Sequence, residues 1–205
     1  IAVTEIRVSG FEELSNLKTF IMPNTVTEIG GSAFNGCHNL TNVTFSNQLS
    51  IIENYAFEDC QCLDEVNLPN TVTDIGMGAF EDCLSLKRIT IPENVSTIKS
   101  SVFRNCQSLT SVSLPVNLKK IISGAFWYCA VLKEISIPKS VTYIGDFGLP
   151  SECKIENVYF AETSGWTQGT DSLNRTAVEA AELADSSKAA QLLKELGTGG
   201  YLERK

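Results

Sequence analysis

Seven cysteines, one histidine and the paired carboxylates Glu58-Asp59 and Glu81-Asp82 are the residues of this 205-residue chain whose types could carry chemistry. Thiols with imidazole hold zinc or form a nucleophile and base, and paired carboxylates share acid and base work. The spacing argues against each. Cys37, Cys60, Cys83, Cys106 and Cys129 recur at a constant step of 23 residues, so stacked turns place them in one interior column. Turns about 4.8 Å apart satisfy the distance for a disulfide, but side chains stacked in parallel point the same way and five rungs leave one unpaired. Free thiols acting as small buried hydrophobes are therefore expected. Cys62 and Cys153 lie off that column and are expected to be more reachable. The pair Cys60 and Cys62 has no second pair at zinc-site spacing, and His38 is the only imidazole, expected in a turn. No glycine-rich phosphate loop or nucleophile elbow is present. Glu58-Asp59 and Glu81-Asp82 fall at the same place in successive copies and read as solvated turn charges. Sequons at Asn39, Asn42, Asn94 and Asn174 would matter only in a eukaryotic source. No catalytic residue, metal ligand or cofactor site is assigned, and the chain is read as not an enzyme.

The positioning element behind this spacing is a repeat. Taking the leucine as position 1, copies begin at Leu17, Leu40, Leu63, Leu86, Leu109 and Leu132 with no insertion between them. Position 4 is Phe20, Val43, Val66, Ile89, Val112 and Ile135, and position 6 is Met22, Phe45, Leu68, Ile91, Leu114 and Ile137. That period of two predicts a short strand with alternate side chains inward. Proline follows at position 7 except at Ser46, and it stops a strand by removing a ladder donor. Positions 10 and 13 are apolar throughout, from Val26 and Ile29 to Val141 and Ile144, which predicts a second buried segment on the opposite side. A phenylalanine at position 18 (Phe34, Phe57, Phe80, Phe103, Phe126) fills the third wall. A half-repeat with Val3, Ile6 and Phe11 opens the chain, and Ile155, Val158 and Phe160 predict a seventh strand. One turn buries too little to offset its ordering entropy, so stability must come from stacking.

The run Leu-x-x-Val-x-Ile-Pro, then Val-x-x-Ile-Gly, then Ala-Phe-x-x-Cys resembles the BspA-like class of bacterial leucine-rich repeats, over roughly residues 3 to 160. The fold class is accordingly a leucine-rich repeat solenoid, mainly β with short strands and turns in each repeat, plus a C-terminal helical cap. The resemblance implies a curved solenoid exported to the cell surface and implicated in adhesion; related repeats also occur in surface proteins of parasitic protists. It carries over no binding residue. Copy six departs from the pattern at Gly148, Leu149, Pro150 and Glu152, as if the coil were ending there.

A net charge of -8 excludes binding driven by phosphate neutralisation unless a basic stripe is hidden. Residues 1–160 hold 11 basic and 17 acidic side chains and the remainder 5 and 7, so neither part is basic. Nucleic acid is thus not an expected partner. The apolar runs are far shorter than the ~20 residues that cross a bilayer, so no membrane insertion is expected of this chain. It starts at Ile1 in mid-repeat, and a removed upstream segment is expected.

If positions 4 and 6 face inward, positions 3 and 5 face out: Thr19 and Ile21, Asn42 and Thr44, Glu65 and Asn67, Arg88 and Thr90, Ser111 and Ser113, Glu134 and Ser136. This polar strip, about 30 Å long for seven strands, is the candidate contact surface for a host or cell-surface protein, or a glycan. Plain solvation is the alternative. Trp127 and Tyr128 occupy turn positions that hold small or charged residues in other copies, and are either a binding hot spot or a landing place for the cap. Two functions follow: a recognition or adhesion module, extracellular or at the cell surface, or a structural spacer within a larger surface protein. The sequence leaves the oligomeric state open.

The solenoid is expected over residues 1–160 and the cap over 161–205. Ala189, Leu192, Leu193 and Leu196 fall at helical spacing, Asp185 or Ser186 is placed to cap the helix and Gly197 to end it, giving a helix near 186–196. A helix that short is marginal alone, so its stripe needs the open end of the solenoid, with Trp166, Tyr201 and Leu202 completing the seal.

Overall fold

A computed structural model describes residues 2–146, 155–169, 175–178, 180–196 and 200–204. Each 23-residue copy makes one turn of a coil. Position 3 opens a short strand, as in Thr19–Ile21, Asn42–Thr44, Arg88–Thr90 and Ser111–Ser113, and position 12 opens a second, as in Glu28–Ile29, Asp74–Ile75 and Lys120–Ile121. Both kinds pair in parallel with their own copy in the next turn, at a register of 23: Phe20 with Val43, Ile89 with Val112, Ile29 with Ile52. Two ribbons result, one on each side of the coil. The seventh strand of the first ribbon is Asn157–Phe160, paired with Glu134–Ile137, and the half-repeat at the start supplies Glu5–Ile6 to the second. Ladder pairing is interrupted in the first ribbon between Asn42–Thr44 and Glu65–Val66 and between Ser111–Ser113 and Glu134–Ile137, and in the second between Asp74–Ile75 and Thr97–Ile98, where Lys99 reaches across to Asp74 at 2.8 Å.

Proline at position 7 ends the first strand by starting a turn closed by its own carbonyl, which accepts from the position 10 amide (Val26 to Pro23, 3.0 Å). Ser46, the one exception, does the same from its carbonyl and also buries its hydroxyl, which accepts from the Gln48 amide at 3.1 Å. After the second strand the chain takes a left-handed conformation at positions 16 and 20. Ser9, Ser32, Tyr55 and Ser101 hold the first of these, Glu13, Asp59, Asp82, Asn105 and Tyr128 the second, and glycines the rest, all with φ between 54° and 73°. Residues with a β-branch are absent from both places, since they tolerate that region worst. At position 14, Gly30 and Gly76 answer a different need: a Cβ there would come within 2.5 Å of Val8 N and 2.3 Å of Glu53 C in the turn above.

The interior is one continuous core in which equivalent side chains lie over one another. Phe34, Phe57, Phe80, Phe103 and Phe126 form a single buried column with ring centroids 5.0 to 6.0 Å apart and planes within 14° of parallel. Phe11 extends it by one ring. Beside it runs the cysteine column. Cys60, Cys83, Cys106 and Cys129 each donate from Sγ to the carbonyl of the phenylalanine one turn earlier, at 3.2 to 3.3 Å. The column's expected properties hold among the described residues: the thiols are buried and none is bonded to another of the column. Burial raises the Cys37, Cys60, Cys83 and Cys106 thiols above the ordinary thiol range, which keeps them protonated and unreactive. Cys62 is half-buried, and Cys153 lies outside the described residues.

Hydrogen bonds run both ways between turns. Strands donate to the turn before, as Thr41 N to Lys18 O at 2.9 Å, while the phenylalanine segments donate to the turn after, as Phe34 N to Ala56 O at 2.8 Å. Threonine and serine hydroxyls add a parallel ladder: Thr27, Ser50 and Thr73 each donate to the carbonyl 23 residues earlier.

The C-terminal end is closed by two devices. Helix α1 (Ala180–Ala184) and helix α2 (Ser186–Glu195) pack on the Asn157–Phe160 strand of the first ribbon. Asp185 caps α2 by accepting from the Ser187 and Lys188 amides at 3.1 Å each. Ala189, Ala190 and Leu193 are buried, with Leu192 and Leu196 packed at the edge; Gly148, Leu149, Pro150, Glu152, Asn174 and Gly197 lie outside the described residues. The second ribbon ends differently. Tyr201–Arg204 pairs antiparallel with Tyr143–Gly145, Trp166–Gly169 pairs antiparallel with Tyr201–Arg204, and Arg175–Ala177 follows. Trp166 and Leu202 are buried. The helix expected near 186–196 is α2, and three antiparallel strands and a second short helix accompany it.

Candidate functional site

The register of the first ribbon decides what its outer face presents. Phe20, Val43, Val66, Ile89, Val112 and Ile135 turn inward, so their neighbours at positions 3 and 5 must point out. Thr19, Ile21, Asn42, Thr44, Glu65, Asn67, Arg88, Thr90, Ser111, Ser113, Glu134 and Ser136 are all exposed. Parallel pairing sets them side by side in rows, with Glu65 beside Arg88, Arg88 beside Ser111 and Thr90 beside Ser113.

The strip is not uniform. Over its C-terminal half it becomes the floor of an open groove of about 640 Å³, lined from the floor by Arg88, Thr90, Ser111, Ser113 and Ser136 and from the sides by Leu114, Val116, Pro138, Tyr159 and Phe160. Two exposed apolar side chains, Val116 at 67% and Tyr159 at 47%, stand at its rim. Reading positions 3 and 5 in six copies missed both. The signal was there: position 8 is Asn24, Asn47, Asn70, Glu93 and Lys139 elsewhere, and Tyr159 is position 5 of the seventh strand. The N-terminal half has its own anchor, Ile21, 76% exposed.

Trp127 and Tyr128 lie away from this face, in the phenylalanine-side turn. The Trp127 ring lies against Gly124, whose added Cβ would be 3.3 Å from it. Tyr128 is 41% exposed in the left-handed conformation, with the Arg104 guanidinium 6.0 Å from its ring centroid.

The carboxylate pairs of the same turn are not all solvated. Glu81 is buried and held by the Arg104 guanidinium one turn on, which overturns its reading as a free turn charge. Glu58, Glu81 and Asp82 bring oxygens within 4.8 Å of one another. Burial, then the Glu81 and Asp82 charges, raises the Glu58 carboxyl, while Asn35 donates to it and opposes the shift. Arg104 and Asn105 neutralise or bond the other two. Among the described residues, the cleft at Cys62 is lined by Thr41, Asp64, Ser85, Lys87 and Ser108, and His38 Nε2 engages Asp59 at 2.7 Å.

Parallel ribbons at a 23-residue register around phenylalanine and cysteine columns define a leucine-rich repeat solenoid. The family model for the BspA type leucine rich repeat region matches six copies, over residues 4–129 and 50–169, and the chain belongs to that family. It is similar to a leucine-rich repeat protein from Bacteroides ovatus (30% identity, TM-score 0.72, 80% of this chain and 44% of that one). A leucine rich cell surface protein from Faecalibacterium prausnitzii gives 30% identity and a TM-score of 0.70 over the same shares, 80% and 44%. The T. pallidum leucine rich repeat protein TpLRR gives 33% identity and 0.64, over 64% of this chain and 62% of that one. The chain spans less than two thirds of each of these proteins. No curated protein matches. Among the described residues, no helix is long and apolar enough to cross a membrane.

Proposed function

We propose that this chain is a non-catalytic recognition module, displayed outside the cell or at its surface, which binds a protein partner along the outer face of the first ribbon. The groove over the last four strands carries the proposal. Its hydroxyl-rich floor offers donors and acceptors in rows, and Tyr159 and Val116 supply the apolar rim that such a floor lacks; a few aromatic or aliphatic anchors dominate most interfaces. A glycan would use the same hydroxyls with Tyr159 as a stacking surface. The F. prausnitzii relative is described as a cell surface protein, which supports the location. A structural spacer is the second reading, favoured by the small share of its relatives that the chain spans.

The test is binding of the chain to panels of extracellular proteins and glycans. Tyr159→Ala and Arg88→Glu are expected to weaken a positive interaction by about tenfold or more, with an unchanged melting temperature. Binding indifferent to both changes, and to charge reversal at Glu65 and Glu134, overturns the groove as the contact surface; no binding across the panel favours the spacer.

A further inference from the structure

The outer face of the second ribbon, opposite the groove, carries charge in an ordered way that the recognition reading does not use. Its N-terminal turns present Glu5, Glu28, Glu53 and Asp74, and its C-terminal turns present Lys99, Lys119 and Lys120. The acids crowd one another: burial, then the Glu53 and Glu5 charges, raises the Glu28 carboxyl. The order is antisymmetric about the turn of Asp74. Glu53 and Lys99 lie one turn to either side of it, both at position 14, and Glu28 and Lys120 lie two turns to either side, both at position 12.

From this we infer that the second ribbon is an interface between two copies of this chain, packed face to face with their solenoid axes antiparallel. A two-fold axis lying along the Asp74–Ile75 strand reverses the stacking direction and keeps position along the strand. It therefore sets Glu53 of each copy against Lys99 of the other, and Glu28 against Lys120. Isologous contact requires this reciprocity. At the other facing positions Ile51 meets Thr97, Lys119 meets Thr27, Arg7 meets Gly145, and Glu5 meets Tyr143, beside which Glu203 stands on the adjoining strand. The acids wall a shallow cavity of about 520 Å³ lined by Glu28, Ile51, Glu53, Asp74 and the chain's own Lys99. At the axis, Lys99 stays within 2.8 Å of Asp74 of its own copy, so in the pair its ammonium is shared between that carboxylate and Glu53 of the other copy. Charge complementarity selects a second copy over an unrelated protein because acid and base sit at equal distances from one turn and at the same strand positions.

The face is seven strands long, about 30 Å by 15 Å, which is smaller than the ~800 Å² each partner contributes to a stable interface. The dimer is accordingly weak, concentration-dependent and loosened by salt. Sedimentation equilibrium of the whole chain, from about 10 µM to about 1 mM, is expected to show dimer in about 30 mM salt and loss of it in about 500 mM. Glu28→Lys alone and Lys120→Glu alone each place like charges together and are expected to weaken self-association about tenfold. An equimolar mixture of the two single variants, and the double variant carrying both, restore the pairs and should recover it; unchanged melting temperatures show that the fold is intact. A monomer at every concentration in low salt overturns the inference, as does a dimer that ignores the single reversals or is not recovered by mixing. The groove variants Tyr159→Ala and Arg88→Glu leave this association unchanged, so it stands or falls apart from the recognition reading.

Discussion

The interior turns and the closing end of the coil solve one problem by opposite means. An interior turn is covered by near-copies of itself: Phe80 lies between Phe57 and Phe103, its amide donates to Val102 O, and its carbonyl accepts from Cys106 Sγ in the turn that follows. The last turn has no such neighbour. Its first ribbon is covered by α1 and α2, and its second by a strand that runs the other way. An antiparallel strand satisfies the ladder's exposed groups without presenting the parallel register that a further copy needs, so growth stops. Repetition thus supplies cohesion, and irregularity supplies the boundary.

The largest expected effect comes from removing the boundary. Deleting residues 161–205 uncovers Ile155, Val158 and the open ladder, and should lower the melting temperature by more than about 10 °C or cause aggregation; an unaltered thermal transition would show that the array needs no cap. Next is the position of a cavity within the array. Phe80→Ala empties a ring site closed on both sides and should cost about 3–5 kcal/mol in denaturant unfolding. Phe11→Ala, at the half-buried end of the column, should cost clearly less; equal losses would mean that stacking adds nothing to burial. Smallest is Asp185→Ala, which removes the cap of α2 alone. The Ser187 hydroxyl and the Lys188 and Ser187 amides hold the Asp185 carboxyl below its ordinary value of 3.8, so its contribution is present above that pH and fades as pH falls through the lower folded value. The variant should therefore unfold slightly earlier than the parent near neutral pH, and the difference should vanish in acid. A constant difference would place the effect elsewhere.

What the sequence disclosed follows the same division. The period of 23 identified both ribbons, the two interior columns and the outward strip, because identical surroundings impose identical choices at every copy. It also held more than was drawn from it: Arg104 stands 23 residues after Glu81, so their pairing, and with it the burial of Glu81, was available from the repeat alone. The paired cap strands were not legible. Tyr143 meets Glu203 and Thr167 meets Ala177 without any shared spacing, and their Thr-, Gly- and Glu-containing segments resemble loop. The stripe of α2, which follows a local period of its own, stood out, and so did Trp166 and Leu202, whose burial was expected without their strands. The groove fell between these cases, since its rim lies where Val116 and Tyr159 break their columns.

The constant register of the ladder has a hereditary consequence. Excising any 23 consecutive residues between Leu17 and Leu132 rejoins the coil in phase, with both ends intact. Unequal recombination between copies can therefore lengthen or shorten such a molecule in a single event, and selection is left to act on reach and on the few columns where neighbours differ.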